Sequence, residues 1–439
     1  MKKIILIALV VILLAGGGVF LLRARGASQA RATGVVTTVT FWDGNPGPSR
    51  TPFLEDIIGW FHETQDRIRV EYVAVPQADY PTRLNVAIAG NAVPDTGEMR
   101  QTWGSGFIAQ NALYNLDDMM RTWPDARHYD PSALDTARSI DPNRGLYFLP
   151  IRGNFNVFWY RVDRFAEKGL NPPETWDEFF TTVNTMTNLS VPEYGIAIRG
   201  GQGAFAALQT LMFSYAGVQD YFDPATGRAA LRDPLMLEFL TRFVGLYRVN
   251  TSAGDVNLSF QAMVAGFGSG VVNMIYHNLG SLDEHTRNLP AGTFATASFP
   301  RSVKGHYNLM APDYSGYAVM QNSRVRDAAV EWLQYLCGER GTSHWTRSIG
   351  ELPPRLDVLQ HEWVRNAAHL RNVTPVFEDP STAIAYIPTY LPEYQRIRDE
   401  GDAGFQAVLL GEMTPAAYLD QMATALEEAN QRFQAHFAR

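Results

Sequence analysis

The stretch GLYFLPIRGNFNVFWYRVDRFAEKGLNPPETWDEFFTTV, residues 145–183, changes from strand patterns to helix patterns. It opens with an apolar run, and a second β-rich run covers residues 155–160. Thr175 followed three residues later by Glu178 predicts a capping box, in which each side chain satisfies an unpaired backbone donor at a helix start. The two prolines just before Thr175 prevent an earlier start. The predicted order is strand, break, strand, helix, loop and capped helix.

The region that precedes this stretch shows a strand and then a helix, twice over. Residues 35–42, VVTTVTFW, are rich in β-branched residues, and residues 68–75, IRVEYVAV, alternate strictly, so both are predicted strands. Apolar residues recur at helical spacing in 53–61 and again in 80–88. Helices between consecutive strands imply a parallel sheet, whose ligands bind beyond the carboxyl ends of the strands.

The N-terminal residues 1–32 have the pattern of an export signal, with lysines, an apolar run over 4–22 and small residues after it. Such a run is also nearly as long as the roughly 20 residues that span a bilayer. Cleavage after Ala30 or Ala32 and retention as an anchor are both open. The lone cysteine, Cys337, lies far from this segment, so lipid attachment at a cleavage-site cysteine is excluded.

The composition indicates a globular protein without a nucleic-acid partner. Aromatic residues make up 12% and charged residues only 19% of the 439 residues, which favours a chain that folds around apolar cores. The net charge of -8 gives no support to nucleic-acid binding, which needs a basic patch. No metal site and no cofactor are predicted.

Several ordered motifs resemble the extracellular solute-binding protein family 1, the maltose-binding-protein-like sugar-binding proteins of ABC transporters. They are TFWDGN, IRVEYVAVPQADYPTRLNVAIAGNAVPD, ALYNLDDM, the stretch quoted first, and LLGEMTPAAYLDQ. The resemblance implies an α/β, periplasmic-binding-protein-like fold, in which a hinge joins two α/β lobes and the ligand lies in the interlobe cleft. It implies a signal or anchor in 1–32, a first lobe in 33–151 with a return in 314–350, and a second lobe in 152–313 with C-terminal helices in 351–439.

The resemblance also implies which residues face the ligand. In the first lobe these are Asp43, Asn45, and then Arg100 and Trp103 in TGEMRQTWGSG, which is predicted to be a loop. Trp103 is a candidate platform for a sugar ring, and a core position is the alternative because tryptophan is well buried on average. The other candidates by resemblance are Gln202, Phe205, Tyr276, Asn278, Tyr317, Arg355 and Tyr386.

Asn154 and Asn156 are candidates because of their spacing. They alternate with apolar residues, so both are predicted to lie on one side of a strand. A buried polar face at a crossing between lobes needs a ligand or water to satisfy it, and a pair of structural asparagines in a turn is the alternative. Gly316 is expected at the hinge, where glycine can supply unusual backbone angles.

The expected function by resemblance is that of an extracytoplasmic, periplasmic binding component of an ABC importer. As a monomer, it would capture a sugar or oligosaccharide by hinge closure and deliver it to a membrane permease, without catalysis. A glycoside hydrolase and a ligand-presenting sensory protein are the alternatives. A hydrolase needs two facing carboxylates, but the acidic pairs at 117–118 and 427–428 are adjacent in sequence, and adjacent residues do not face each other on a helix.

Overall fold

The computed structural model describes residues 36–437 except Ser49, Pro142, Thr374, Phe377 and Glu378. The predicted export segment, residues 1–32, lies outside the described residues. Within the described part of the chain, no helix is long and apolar enough to cross a membrane.

The strands are β1 Thr37–Asp43, β2 Ile68–Ala74, β3 Thr96–Arg100, β4 Leu149–Asn154, β5 Asn156–Arg161, β6 Met274–Asn278, β7 Phe294–Ala297, β8 Asn308–Met310, β9 Asp313–Val319 and β10 Ala383–Ala385. The α-helices are α1 Thr51–Thr64, α2 Tyr80–Ala89, α3 Gln101–Ala109, α4 Asp117–Thr122, α5 Pro131–Arg138, α6 Val162–Glu167, α7 Trp176–Met186, α8 Ala204–Ala216, α9 Pro234–Val244, α10 Phe260–Gly268, α11 Leu282–Asn288, α12 Arg326–Leu336, α13 Glu339–Ile349, α14 Leu356–Leu359, α15 Glu362–Asn366, α16 Ala368–Arg371, α17 Tyr394–Leu410 and α18 Pro415–Phe437.

The first lobe is built on a five-stranded sheet in the order β2-β1-β3-β9-β4. β1 pairs in parallel with β2 and β3, which confirms the parallel arrangement predicted from the alternation of strands and helices. β9 pairs antiparallel with β3 and β4, because the chain returns to this sheet from the second lobe. Aromatic contacts fill the core, with the rings of Phe41 and Trp332 edge to face at 5.5 Å.

The second lobe is built on an antiparallel sheet in the order β6-β5-β7 and on the helices around it. The predicted capping box begins α7: Oγ1 of Thr175 accepts from the backbone N of Glu178 at 3.2 Å, and Glu178 Oε2 accepts from the backbone N of Thr175 at 3.3 Å. Phe158 of β5 stacks on Phe179 of α7 with ring centroids 5.2 Å apart, which joins sheet and helix.

The chain passes between the lobes close to residue 155, where β4 of one sheet is followed directly by β5 of the other. It passes back before β9. Residues 352–359 contact both lobes. The backbone N of Leu352 donates to Gly153 O at 3.0 Å and the backbone N of Asp130 donates to Pro354 O at 3.0 Å, whereas the side chains of Leu352 and Leu359 pack against the second-lobe core.

Two local expectations are corrected by the structure. TGEMRQTWGSG is not a loop, because Thr96–Arg100 forms the central strand β3 and Gln101 begins α3. Gly316 lies inside β9 and is not among the described glycines with positive φ. Glycine is needed there for close approach, since a Cβ at Gly316 would lie 1.7 Å from the backbone O of Leu149 on the paired strand.

Candidate functional site

A cleft between the lobes has a polar part and an apolar part, with cavity volumes of about 230 Å³ and 190 Å³. The residues that line both parts are Asn154, Arg199, Asn278, Asp313 and Arg398. The apolar part adds the rings Phe155, Phe299, Tyr386 and Tyr394. The polar part adds groups from both lobes, among them Arg50 and Arg100 from the first lobe and His277 from the second.

The first-lobe wall is held by a buried network of charges. Glu98 on β3 accepts from Nε of Arg100 at 2.9 Å and lies 3.4 Å from Arg152 Nη2. Arg152 on β4 also donates to Glu351 at 2.6 Å, and Asn154 Nδ2 donates to the same oxygen of Glu351 at 3.1 Å. Because Glu351 follows α13 while Arg152 and Asn154 end β4, the network joins both borders of the crossing between lobes.

The pKa shifts in this wall follow from burial and from the paired charges. Burial alone would lower the pKa of Arg152, but the carboxylates of Glu351 and Glu98 raise it above its usual value. Burial alone would raise the pKa of Glu98, but Arg100 and Arg152 hold it below its usual value. Asp43 behaves differently, since burial and the nearby charge of Glu98 raise its pKa. Arg152 and Glu98 are therefore both charged at neutral pH.

The second-lobe wall is formed by the end of β6 and the loop before α8. Asn278 caps the turn after β6, with its Oδ1 accepting from the backbone N of Gly280 at 3.1 Å. The ring of His277 stacks on Phe260 at 5.5 Å, and burial followed by the charge of Arg199 lowers its pKa to about 3, so it is neutral at pH 7. Arg199 is fixed through its Nε, which donates to Gln202 O at 2.7 Å.

Several polar atoms of the cleft have no hydrogen-bond partner among the described residues although they are buried. They are Nε of Arg50, Oδ1 of Asn154, Nδ1 of His277, one carboxylate oxygen of Glu351 and Nε of Arg398. Buried polar atoms are nearly always hydrogen-bonded, and each orphaned one costs about 1–3 kcal/mol. Buried polar atoms of the same kind also occur elsewhere in both lobes, and those at the cleft are candidate contacts for a polar ligand.

The structure brings six of the predicted site residues to the cleft: Asn45, Arg100, Asn154, Asn156, Asn278 and Tyr386. Asp43 lies directly behind Asn45. It is 1% exposed, and its carboxylate accepts from the Tyr72 hydroxyl at 2.8 Å and from the backbone N of Asn45 at 3.1 Å. Asp43 therefore orients Asn45 and does not reach the cleft itself.

Trp103 and Gln202 lie beside the cleft and do not line it. One side of Trp103 stacks on Tyr80 at 5.3 Å, and the guanidinium carbon of Arg100 lies 4.8 Å from its ring centroid. Trp103 thus supports Arg100 and offers no open face for a sugar. Gln202 acts through its backbone carbonyl, which holds Arg199.

Four further predictions are corrected, because the side chains are buried in lobe interiors. Phe205 is 0% exposed and packs edge-on against Tyr418 with ring centroids 6.4 Å apart. Tyr317 is 2% exposed and meets Phe41 in the first-lobe core at 5.0 Å. Tyr276 lies in the second-lobe core, and its hydroxyl accepts from the backbone N of Arg199 at 2.9 Å.

The fourth correction is Arg355, which is 0% exposed. Its Nη2 donates to Asp357 at 2.6 Å, and its guanidinium carbon lies 5.5 Å from the ring centroid of Tyr129. Tyr129 is also fully enclosed in the first lobe. Arg355 therefore holds the segment after α13 against the first lobe and has no access to the cleft.

The cleft is also lined by Arg50, Arg152, Arg199, Arg398 and His277, none of which the sequence patterns predict as site residues. Arg152 lies next to the predicted crossing between lobes, and this position in the sequence indicates a residue near the cleft. The other three arginines come from a loop before α1, a loop before α8 and the interior of α17. They meet only in the folded protein, so no spacing along the chain reveals them.

The acidic pairs considered for a hydrolase lie in ion pairs of their own. Asp117 pairs with Arg138, and Asp118 with Arg121. Glu427 pairs with Arg232 at 2.8 Å, and Glu428 with Arg432 at 3.7 Å. None of these four carboxylates lines the cleft.

Comparison with known proteins gives one family. Residues 47–342 match the model of the family described as bacterial extracellular solute-binding protein. A curated relative, the erythritol/L-threitol-binding protein of Mycolicibacterium smegmatis, is 22% identical over 338 residues, which cover 71% of this chain and 69% of the relative. The putative ABC transporter periplasmic-binding protein YcjN of Escherichia coli is 21% identical and covers 52% of this chain and 53% of its own.

Solved structures share the fold at low identity. A solute-binding protein of Thermotoga lettingae, bound with α-D-tagatose, has a TM-score of 0.78 and 20% identity over 90% of this chain and 99% of its own. A solute-binding protein of Agrobacterium radiobacter, in complex with ribitol, has a TM-score of 0.74 and 19% identity over 89% and 98%. At such identities the likeness shows the two-lobed fold.

Proposed function

Because the chain belongs to the bacterial extracellular solute-binding protein family, we propose that it captures a small polyhydroxylated solute, a sugar or a polyol, in the cleft between its lobes. The carrying observation is the set of buried polar atoms in the cleft without partners, above all Oδ1 of Asn154 and Nδ1 of His277. Hydroxyl groups of a polyol can both donate and accept, so one ligand can satisfy both atoms.

The shape of the cleft supports a compact ligand. Its apolar part offers the rings of Phe155 and Tyr386 to the C–H faces of a sugar or the carbon chain of a polyol. Its polar part offers the side chains of Asn154 and Asn278 to the hydroxyl groups. The two parts share five lining residues, and their volumes of about 230 and 190 Å³ together lie in the lower part of the roughly 300–1,000 Å³ of small-ligand sites, which favours one or two rings over a long oligosaccharide.

We further propose that the ligand stabilises a closed state, which a membrane permease of an ABC importer recognises outside the cytoplasm. The walls of the cleft come from different lobes, so a ligand that contacts both favours their approach by its higher affinity for the closed state. No bond in the ligand is made or broken in this proposal. The carboxylates buried behind the first-lobe wall, Glu98 and Glu351, are committed to Arg100 and Arg152.

The test is thermal unfolding of the full-length chain against sugars, polyols, amino acids and short peptides. A ligand at 100 times its dissociation constant adds about 2.7 kcal/mol to the free energy of unfolding. We expect a sugar or polyol to raise the melting temperature, Asn154→Ala to weaken this shift, and the surface control Asn366→Ala to preserve it. A shift only with amino acids or peptides contradicts the proposal, and a product after incubation favours a hydrolase.

A further inference from the structure

Three arginines that line the cleft have no carboxylate partner within 4.0 Å among the described residues. Arg50 comes from the first lobe, and Arg199 and Arg398 come from the second. Other arginines of the same wall are paired, since Arg100 lies 2.9 Å and Arg152 lies 2.6 Å from a carboxylate.

The side chains of Arg50, Arg199 and Arg398 are each partly buried. Burial lowers the pKa of both Arg50 and Arg199 from the usual arginine value, which reflects the cost of holding a charge there. Nε of Arg50 and Nε of Arg398 are buried without a hydrogen-bond acceptor among the described residues. A guanidinium group always carries its charge and presents a planar set of donors that matches carboxylate and phosphate oxygens.

Arg50 and Arg199 line the polar part of the cleft from opposite lobes. The positive charges of both act on the imidazole of His277, which they help to keep neutral. Arg199 and Arg398 also act on each other as like charges. Two lobes that bring such charges together repel each other unless something of opposite charge lies between them.

The carboxylates near these arginines are mostly bound to other groups. Glu351 and Glu98 act on Arg50 but are ion-paired with Arg152 and Arg100. Asp402 acts on Arg199 and Arg398 but accepts from the backbone N of Gly203 at 2.6 Å and of Phe205 at 2.8 Å, so it is bound to the start of α8. Asp313 is shared among Arg100, Arg152 and Arg398, and burial raises its pKa. Asp283 and Glu284 both line the polar part of the cleft. Asp283 is paired with Arg287 at 2.8 Å.

From this arrangement we propose that the captured solute is an acid: a small polyhydroxylated molecule that carries one carboxylate or phosphate group, which Arg50, Arg199 and Arg398 bind together. The hydroxyl groups contact the asparagines, and the carbon skeleton lies over the rings of the apolar part. The anion offsets the repulsion between the lobes, so it also promotes closure. This inference rests on the proposed capture of a sugar or polyol in the same cleft.

The test is titration calorimetry of the full-length chain with neutral parents and their acids. The probes are D-glucose, D-gluconate and D-glucose 6-phosphate, and erythritol, erythronate and erythritol 4-phosphate. We expect at least one acid to bind ten times or more as tightly as its parent. Whether the carboxylate or the phosphate member shows the preference identifies the anionic group.

Variants separate the anion site from general damage to the cleft. Arg199→Gln and Arg50→Gln should each reduce the ratio of acid to neutral affinity at least fivefold, and Arg199→Lys should restore part of it. Arg67→Gln, which removes an exposed arginine of the first lobe, should leave the ratio unchanged. Because the ratio is taken within one variant, a loss of folded protein does not alter it.

The possible failures are distinguishable. If neutral sugars or polyols bind as tightly as their acids, and the arginine variants do not change the ratio, the anionic ligand is refuted while capture of a polyhydroxylated solute stands. If no probe binds, neutral or acidic, both proposals are contradicted. Raising the salt concentration should weaken acid binding more than neutral binding, and equal weakening counts against the proposal.

Discussion

Glu351→Gln removes the charge that connects the two borders of the lobe crossing. The side chain of Glu351 is 0% exposed, and its Oε1 accepts from Arg152 at 2.6 Å and from Asn154 at 3.1 Å. Glutamine has the same shape and keeps one oxygen acceptor, so the substitution changes charge with little change in packing. Arg152 is then left with Glu98 at 3.4 Å as its only carboxylate partner among the described residues.

The magnitude follows from the burial of the pair. Removing one partner of a buried ion pair typically costs about 3–5 kcal/mol, because the other charge stays buried without compensation. The remaining contact with Glu98 places Glu351→Gln at the lower end, about 3 kcal/mol. An unfolding entropy of about 2.1 cal/mol/K per residue over roughly 400 residues gives about 0.8 kcal/mol/K. The expected decrease in melting temperature is therefore about 4 °C.

Differential scanning calorimetry of wild type, Glu351→Gln and Glu331→Gln measures this effect. Glu331 also pairs with an arginine, Arg67, at 2.8 Å, but the two side chains are 41% and 66% exposed. Exposed ion pairs contribute about 0–1 kcal/mol, so this control should change the melting temperature by about 1 °C or less. If Glu351→Gln melts within 1 °C of wild type, the buried network does not hold the crossing as described.

Gly316→Ala should lower the free energy of unfolding, measured in urea, by about 3 kcal/mol or more, because the new Cβ would lie 1.7 Å from the backbone O of Leu149. The control Gly59→Ala, in an exposed position of a helix, should raise it by about 1 kcal/mol. Equal effects of the two substitutions would contradict the close approach at Gly316. Asp255 accepts from the backbone N of Ile198 at 2.7 Å, and burial raises its pKa to about 7. Because its ordinary pKa is 3.8, the folded state holds a proton that the unfolded chain has lost, so stability from this group is lost as pH rises from about 4 to 7. The stability of Asp255→Asn relative to wild type should therefore increase by about 2–4 kcal/mol between pH 4.5 and 8 in urea unfolding, and a constant difference would refute the shift.

The sequence predicts the fold well because local patterns and family motifs agree. The capping box at Thr175, the first two strands and helices, and the turn from one sheet to the other near residue 155 are all present. Each of these features depends on neighbours within a few residues, so the local sequence is enough to predict it. Asn154 and Asn156 line the cleft, but the predicted alternation along one strand is wrong, because Asn154 ends β4, Asn156 begins β5 and Phe155 between them also lines the cleft.

The rest of the site depends on contacts between distant segments. Tyr317 and Phe205 have the residue types of a binding surface, but only the packing of other elements decides that Phe41 and Tyr418 cover them. Arg355 donates to Asp357, which is only two residues away in the sequence. Such a short-range ion pair indicates a structural role for Arg355, although the family motif predicts a ligand contact.

The arginines that line the cleft also cannot be predicted from the sequence. Arg50 and Arg398 are separated by most of the chain, and neither belongs to a motif. Their shared position arises because segments far apart in sequence fold against one cleft. A sequence shows charge and spacing, whereas the pairing of each charge appears only in the folded molecule.

The most direct test of the account is a crystal structure of the full-length chain with the tightest-binding compound from the panels of sugars, polyols and their acids. We predict that the compound lies between the lobes, accepts or donates hydrogen bonds with Asn154 and Asn278, and touches side chains of both lobes. A compound bound on the outer surface, or held by one lobe alone with Asn154 still unpartnered, would contradict capture in the cleft.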